Sequence, residues 1–297
     1  MKQILIIAKR ILKIILRIIS NFFRLGAFLF SLRKAKHKEI LKYEGRIDGR
    51  IAVIATGPSL KEDMPYIVEE TYKKSTDILM LNFSAFDPMF FELRPKHYCL
   101  ADPMYFRSSW RNEEVSRFFD VLNTRVDWDM TIYVQAIHRK SFLSFSKLSN
   151  PHLAVVGINT FEYKGFEGLR YWFYKKGLAS PPPQTVTNMA VFVGIQKGYS
   201  EMDLFGVDHT FLSALRINEK NQLCQKYYHS YDKGEPEYKI IYRTDNNEVW
   251  RCGEYIIACG KMFISHDMLE KYAKSLGCRI VNHTKCSMID SYERFVD

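Results

Sequence analysis

The residues best suited to chemistry begin at Thr56-Gly57-Pro58-Ser59, where the apolar run Ile51–Ala55 breaks into a glycine turn. Gly57 removes a side chain where backbone must pass close to something else. Pro58 fixes φ, and Ser59 is suited to cap a following helix. A strand, a glycine turn and a helix N-terminus leave free backbone N–H groups pointing one way, which is an anion-binding arrangement. A plain strand-to-helix connection is the alternative. Polar residues also follow later candidate strands: Asn82 after Ile78–Leu81, Asp102 after His97–Leu100, and Asp208-His209 after Met202–Phe205. Asn82 can hydrogen-bond a ribose or base, and Asp102 a hydroxyl or backbone amide, although Asn and Asp at such places also simply form turns. Thr187 and Asn188 open the helical stretch behind Pro181-Pro182-Pro183. With Thr56, Gly57, Pro58, Ser59, Asn82, Asp102 and Asp208 they make up the candidate nucleotide-binding set.

Acid–base chemistry has two candidate histidines. His229 lies in Tyr227-Tyr228-His229-Ser230-Tyr231; imidazole titrates near neutrality, so His229 is the first choice of base. Tyr228 and Tyr231 offer phenolic donors to a departing phosphate. His209 is the rival base or a phosphate donor, with the neighbouring Asp208 carboxylate able to orient its ring. Asp127-Trp128-Asp129 has the spacing of a metal-binding acidic pair, but it precedes a strand and reads as a solvated turn, so no metal ligand is assigned. A Walker-type phosphate loop and His-Glu-x-x-His are absent. The six cysteines show no zinc or Cys-x-x-Cys spacing and read as reduced, cytosolic thiols.

These residues need a scaffold that brings strand ends together. Strands are expected at Ile51–Ala55, Ile78–Leu81, His97–Leu100, Thr131–Val134, Leu153–Val156, Met202–Phe205 and Arg279–Val281. Helices are expected near Lys61–Thr71, Glu113–Leu122, Thr187–Lys197 and Met268–Leu276. The alternation implies an α/β fold, a Rossmann-like and mostly parallel sheet flanked by helices, whose carboxyl edge carries the site. Residues 209–265 are polar and Tyr-rich, which suggests an inserted lid.

Residues 1–50 form a separate arm ahead of the 51–297 domain. Lys2, Lys9, Arg10, Lys13, Arg17 and Arg24, with Gln3, Ser20 and Asn21, fall within an arc of roughly 120° at about 100° per residue. Ile, Leu and Phe fill the rest, so an amphipathic helix lying in an anionic membrane surface is expected, with packing on a protein partner as the alternative. The arm holds 13 Lys/Arg against 3 Asp/Glu, which equals the +10 of the whole chain. Residues 51–297 are therefore balanced, and no nucleic-acid partner is expected from charge.

The turn Ala55 to Leu60, Leu81-Asn82-Phe83, and the stretch from Ala190 through Gly198-Tyr199 to Gly206-Val207-Asp208 resemble bacterial sialyltransferases of glycosyltransferase family 42. They also resemble the related hydroxymethylpterin pyrophosphokinase-like domains of polysaccharide synthesis. The resemblance covers most of residues 51–231. It implies a CMP-sugar donor without other cofactor, a glycan or glycolipid acceptor, a phosphate held by the glycine turn, and His229 as base. Thr56 stands where that family carries Asn, and His209-Thr210-Phe211 where it has Phe-Tyr. The resulting expectation is a metal-independent, inverting transferase of sialic acid or a similar acidic sugar. It would sit peripherally on the cytoplasmic face of the bacterial inner membrane and could form a homo-oligomer. A pyrophosphokinase using ATP and Mg²⁺, and a non-catalytic membrane-anchored scaffold, are the alternatives.

Overall fold

The computed structural model describes residues 2–295 apart from Trp110, Ala214, 228–236 and 244–247. In chain order the elements are α1 (Lys2–Ser31), β1 (Ile47–Ile54), α2 (Leu60–Ile67), α3 (Glu70–Ser75), β2 (Thr76–Leu81), α4 (Pro88–Leu93), β3 (His97–Cys99), α5 (Asn112–Arg125), β4 (Met130–Gln135), α6 (Arg139–Ser146), β5 (Leu153–Ile158), α7 (Glu167–Lys175) and α8 (Val186–Lys197). They continue with β6 (Tyr199–Phe205), β7 (Leu215–Ile217), β8 (Leu223–Tyr227), β9 (Glu237–Ile240), α9 (Cys252–Ser275), β10 (Arg279–Asn282) and β11 (Glu293–Arg294).

Eight strands form one parallel sheet in the order β11-β10-β6-β1-β2-β3-β4-β5. This is the Rossmann-like α/β architecture expected from the alternating pattern. Its centre is the run Ile51–Ile54, fully buried, as a strand covered on both faces requires. One core lies between the sheet and α7, α8 and α9, around Ile51, Val53, Phe192, Met202 and Tyr272. The other lies on the opposite face around Ile54, Phe90, Tyr98 and Phe118. Helix α8 is buried nearly all round, which is why it reads as uniformly apolar instead of amphipathic. Gly198 ends it at φ 88°, in the left-handed region that favours glycine.

The chain moves outward from β1 to β5, then returns across the sheet to place β6 on the other side of β1. The connections leaving β1 and β6 therefore diverge, and a crevice opens at the carboxyl ends of these two neighbours.

Residues 209–265 are more ordered than an irregular lid. Strands β7, β8 and β9 make a small antiparallel sheet, and from Cys252 onward the segment belongs to the 24-residue helix α9. The Lys61–Thr71 stretch divides into α2 and α3, with Pro65 inside the first.

Helix α1 runs 30 residues, and the stretch Lys9–Lys34, which adds the short 3-10 turn Leu32–Lys34 to it, is long and apolar enough to cross a membrane by length and composition. Its last third docks on the body through one stripe, Asn21, Leu25 and Phe28, with Leu32 and Ala35 continuing the spacing just beyond it. Phe28 packs on Tyr163 and Phe173, and Arg24 donates to the Lys164 carbonyl at 2.7 Å. At about 100° per residue this stripe takes the edge of the apolar arc that borders the cationic one, where Phe22 also meets Phe166 edge to face, and leaves much of the remaining apolar arc exposed. Phe23 and Phe30 are exposed there, Phe23 by 76%. Residues 35–46 then strap the sheet: Leu41 N–H donates to the Gly157 carbonyl, Tyr43 N–H to that of Lys175 and Glu44 N–H to that of Gln196.

Candidate functional site

A cavity of about 450 Å³ occupies the crevice between the ends of β1 and β6. Thr56, Gly57 and Pro58 line it from the β1 side, Asn82 and Asp102 from β2 and β3, and Asp208 and His209 from β6. The first turn of α8 contributes Thr187, and Gln225 and Lys226 of β8 come from the small antiparallel sheet. The strand tips picked out by sequence thus converge. Volumes of roughly 300–1,000 Å³ are usual for small-molecule sites.

Gly57 has a reason other than the one expected. A Cβ there would overlap the Asp208 carboxylate and the Gly206 carbonyl. The absent side chain therefore lets the tips of β1 and β6 touch. Gly57 N–H donates to the Gly206 carbonyl at 2.9 Å, and Ser59 Oγ–H donates to Asp208 Oδ2 at 2.8 Å. Ser59 stands at the N-cap of α2 without bonding the helix backbone through its side chain. Its backbone N–H also meets the Asp208 carboxylate. The anion place at the start of α2, expected for phosphate, is thus filled by the chain's own carboxylate. Burial pushes the Asp208 carboxyl up from its ordinary range despite these donors.

The floor is built on Asn82 and Asp102. Asn82 adopts φ 52°, a conformation Asn tolerates better than most residues, and its carbonyl accepts from Tyr98 Oη–H at 2.5 Å. Its side-chain amide donates to Asp102, while its Oδ1 is enclosed without a partner. Asp102 is half-buried, and its desolvation raises its carboxyl even though the Arg111 cation and the Asn82 amide oppose the shift.

Helix α8 presents its N-terminus to the cavity. Thr185 Oγ1 accepts from Asn188 N–H at 3.3 Å, and Asn188 Oδ1 accepts from Thr185 N–H at 3.1 Å, closing a capping box. Asn188 is therefore committed to the cap, and its Nδ2 reaches the Met262 carbonyl instead of the cavity. The remaining first-turn N–H groups of α8 carry the positive end of the helix dipole toward the space that Thr187 lines.

His209 is oriented by neighbours that the sequence did not suggest. It takes φ 51°, and its Nε2 lies 3.3 Å from Nε2 of His266, whose Nδ1 lies 2.8 Å from Tyr292 Oη. Asp208 does not orient it, because that carboxylate faces Ser59. Burial holds the His209 imidazole down at about 3, and burial with His209 beside it also lowers His266 well below its ordinary range. Both shifts favour the neutral imidazole.

Tyr228, His229 and Tyr231 lie outside the described residues. Asp127 and Asp129 are at the opposite, amino edge of the sheet, where Asp127 pairs with Arg94 at 3.0 Å and Asp129 with His152 at 3.0 Å. Among the described residues no group of three or more His, Cys, Asp or Glu side chains could hold a metal ion. Gln184, Thr185, Gln225 and Lys226 were not singled out in sequence. The Thr185-x-x-Asn188 spacing is a capping signal that would have found Thr185, whereas Gln184, Gln225 and Lys226 carry no local signal. No known protein-family model matches the chain, and no curated protein matches it either.

Proposed function

We propose that this chain is a membrane-associated glycosyltransferase that moves a sugar, sialic acid or a similar acidic sugar, from a CMP-sugar onto a surface glycan or glycolipid. The observation that carries this reading is the cavity at the divergence of β1 and β6, with the α8 N-terminus on one side and Lys226 on another. A nucleoside lies along the Asn82–Asp102 floor. Its single phosphate lies toward the first turn of α8 and Lys226, since the α2 end is taken by Asp208. In the transfer, an acceptor oxygen attacks the anomeric carbon and the bond from that carbon to the phosphate oxygen breaks, leaving its electron pair on CMP. The acceptor proton passes to a base, for which His229, three residues beyond Lys226 in sequence, is the choice implied by the family resemblance. One departing phosphate can be met by N–H donors and one ammonium, so the proposal needs no metal.

The exposed apolar arc of α1 and its neighbouring Lys9, Arg10, Lys13 and Arg17 support a helix lying in an anionic lipid surface. Its docked last third supports the same placement, because one side of that stretch faces protein and not lipid.

A thermal-shift series with CMP, UDP, GDP and ATP on the full chain tests the nucleotide. At 100 times Kd a ligand that binds only the folded state adds about 2.7 kcal/mol. Selective stabilisation by CMP is expected. Stabilisation by ATP and Mg²⁺ alone would instead favour a pyrophosphokinase, and none by any nucleotide would favour a scaffold.

A further inference from the structure

The cavity is backed by a buried hydrogen-bonded chain whose direction can be assigned. Tyr292 Oη is buried, and its one hydrogen-bond partner among the described residues is Nδ1 of His266. A buried hydroxyl with one partner donates to it if that partner can accept, since an unmade O–H donor is costly. Tyr292 therefore donates, and His266 Nδ1 carries no proton. A neutral ring holds its proton on the other nitrogen, so His266 Nε2–H donates to His209 Nε2 at 3.3 Å. His209 must then accept at Nε2 and carry its own proton on Nδ1. That nitrogen has no hydrogen-bond partner among the described residues, and it is not sealed among the enclosed orphan atoms. His209 itself lines the cavity.

We propose that Tyr292 and His266 are positioning residues that fix His209 as a neutral Nδ1–H donor to an anionic oxygen, phosphoryl or carboxylate, of the ligand in this cavity. A ring so held cannot act as the base through Nε2, because that lone pair is engaged. A donor that stays neutral stabilises charge without itself needing a counter-ion. The ligand part of this inference rests on the reading of the cavity as a nucleotide-sugar site, whereas the tautomer does not.

Long-range ¹H–¹⁵N NMR on the full-length protein with ¹⁵N-histidine, His209 assigned by loss of its signals in His209→Gln, reads the tautomer directly. At pH 7 the expected pattern is a protonated Nδ1 and a bare Nε2 on His209, and the reverse on His266. Tyr292→Phe keeps the ring and removes the donor. It should convert His209 to a mixture of tautomers and weaken CMP by about 3- to 10-fold. A protonated Nε2 or an imidazolium on His209 in the parent protein overturns the proposal. So does an unchanged His209 pattern in Tyr292→Phe. If CMP addition leaves the Nδ1–H signal unmoved while CMP still stabilises the fold, the donor role is overturned. If CMP binds neither way and the tautomer is as stated, the positioning chain stands and the nucleotide reading fails. Should Tyr292→Phe not fold, the parent spectrum alone decides the direction of the chain.

Discussion

Gly57 sits so close to the Asp208 carboxylate that not even a methyl group fits between them. The two residues close the tips of adjacent central strands, and Ser59 completes the closure through its hydroxyl. Gly57→Ala must push away Asp208 and the Gly206 carbonyl, and the backbone cannot yield as a flexible side chain would. The expected cost is about 1–3 kcal/mol, measured by denaturant unfolding. Asp208→Ala should remove part of it, so a double-mutant cycle should show coupling between the two sites. Additive effects would mean that the overlap is relieved elsewhere.

The neutral histidines behind the cavity set a pH dependence. An unfolded histidine titrates near 6.5, whereas burial holds folded His209 at about 3 and lowers His266 too. Below about pH 6.5 the unfolded chain binds protons that the folded chain refuses. Stability is therefore lost as pH falls from there toward 3, by up to about 1.4 kcal/mol per pH unit for each histidine. Asp102 and Asp208 act oppositely: their raised folded values favour the folded state as acid is added. The carboxylate contribution is common to parent and His209→Gln, so comparing the two below pH 6.5 isolates the histidine. His209→Gln should flatten the slope of unfolding free energy in that window. An equal slope in parent and variant would show that His209 is charged when folded.

Lys226 is exposed on β8 yet lines the cavity. Lys226→Gln should leave the unfolding midpoint within the usual scatter of surface changes, about 0.5 kcal/mol. The loss of one charge-assisted contact should weaken CMP by about 10-fold or more, measured calorimetrically. A cytidine without phosphate should bind both proteins alike. If it too loses affinity, Lys226 meets the base or ribose and the phosphate lies elsewhere.

Two phenylalanines five positions apart separate docking from membrane binding. Phe28 is buried against Tyr163 and Phe173, whereas Phe23 is exposed. Phe28→Ala should cost about 3–5 kcal/mol of stability. Phe23→Glu should leave stability nearly unchanged and cut binding to phosphatidylserine vesicles by roughly 10-fold or more, from the lost transfer energy of one aromatic side chain. High salt should weaken the parent's binding through the basic arc. Equal vesicle binding by Phe23→Glu would mean the apolar arc does not face lipid.

The central strands and their polar tips were legible in sequence because Ile51–Ile54 is a buried apolar run and Met202–Phe205 is apolar but for Asp203, and both lead into glycine turns followed by polar residues. Gly57 was legible as a close approach, but what approaches it is 151 residues away, and sequence proposed phosphate where the chain supplies Asp208. The small sheet was not legible, since β7 and β9 are only 3 and 4 residues long and mostly exposed. Helix α9 was legible only at its end. Gly253 and Gly260 lower its propensity, and its exposed Ile256, Ile257 and Ile264 form no stripe that marks a core face. His266 gave no sign of its part, because its contact with His209 spans 57 residues and belongs to the tertiary fold.

The division of labour between two histidines can be read from which kinetic parameter each one moves. An acceptor hydroxyl must lose its proton as the new glycosidic bond forms, and a well-placed base contributes about 10²–10⁴-fold. His229→Ala should lower kcat with CMP-sugar and glycan acceptor by that factor while CMP affinity stays near the parent value, since a base touches acceptor and not nucleotide. His209→Gln should instead weaken CMP and slow departure of the phosphate, because the ring donates to the donor side of the cavity. Hydrolysis of the CMP-sugar without acceptor sharpens the contrast. Water competes poorly for a base placed for a sugar hydroxyl, so His229→Ala should spare more of this side reaction than His209→Gln does. Full transfer by His229→Ala together with an inactive His209→Gln that still binds CMP normally would reverse the roles, making the buried ring the base and the Tyr-rich segment incidental to proton transfer.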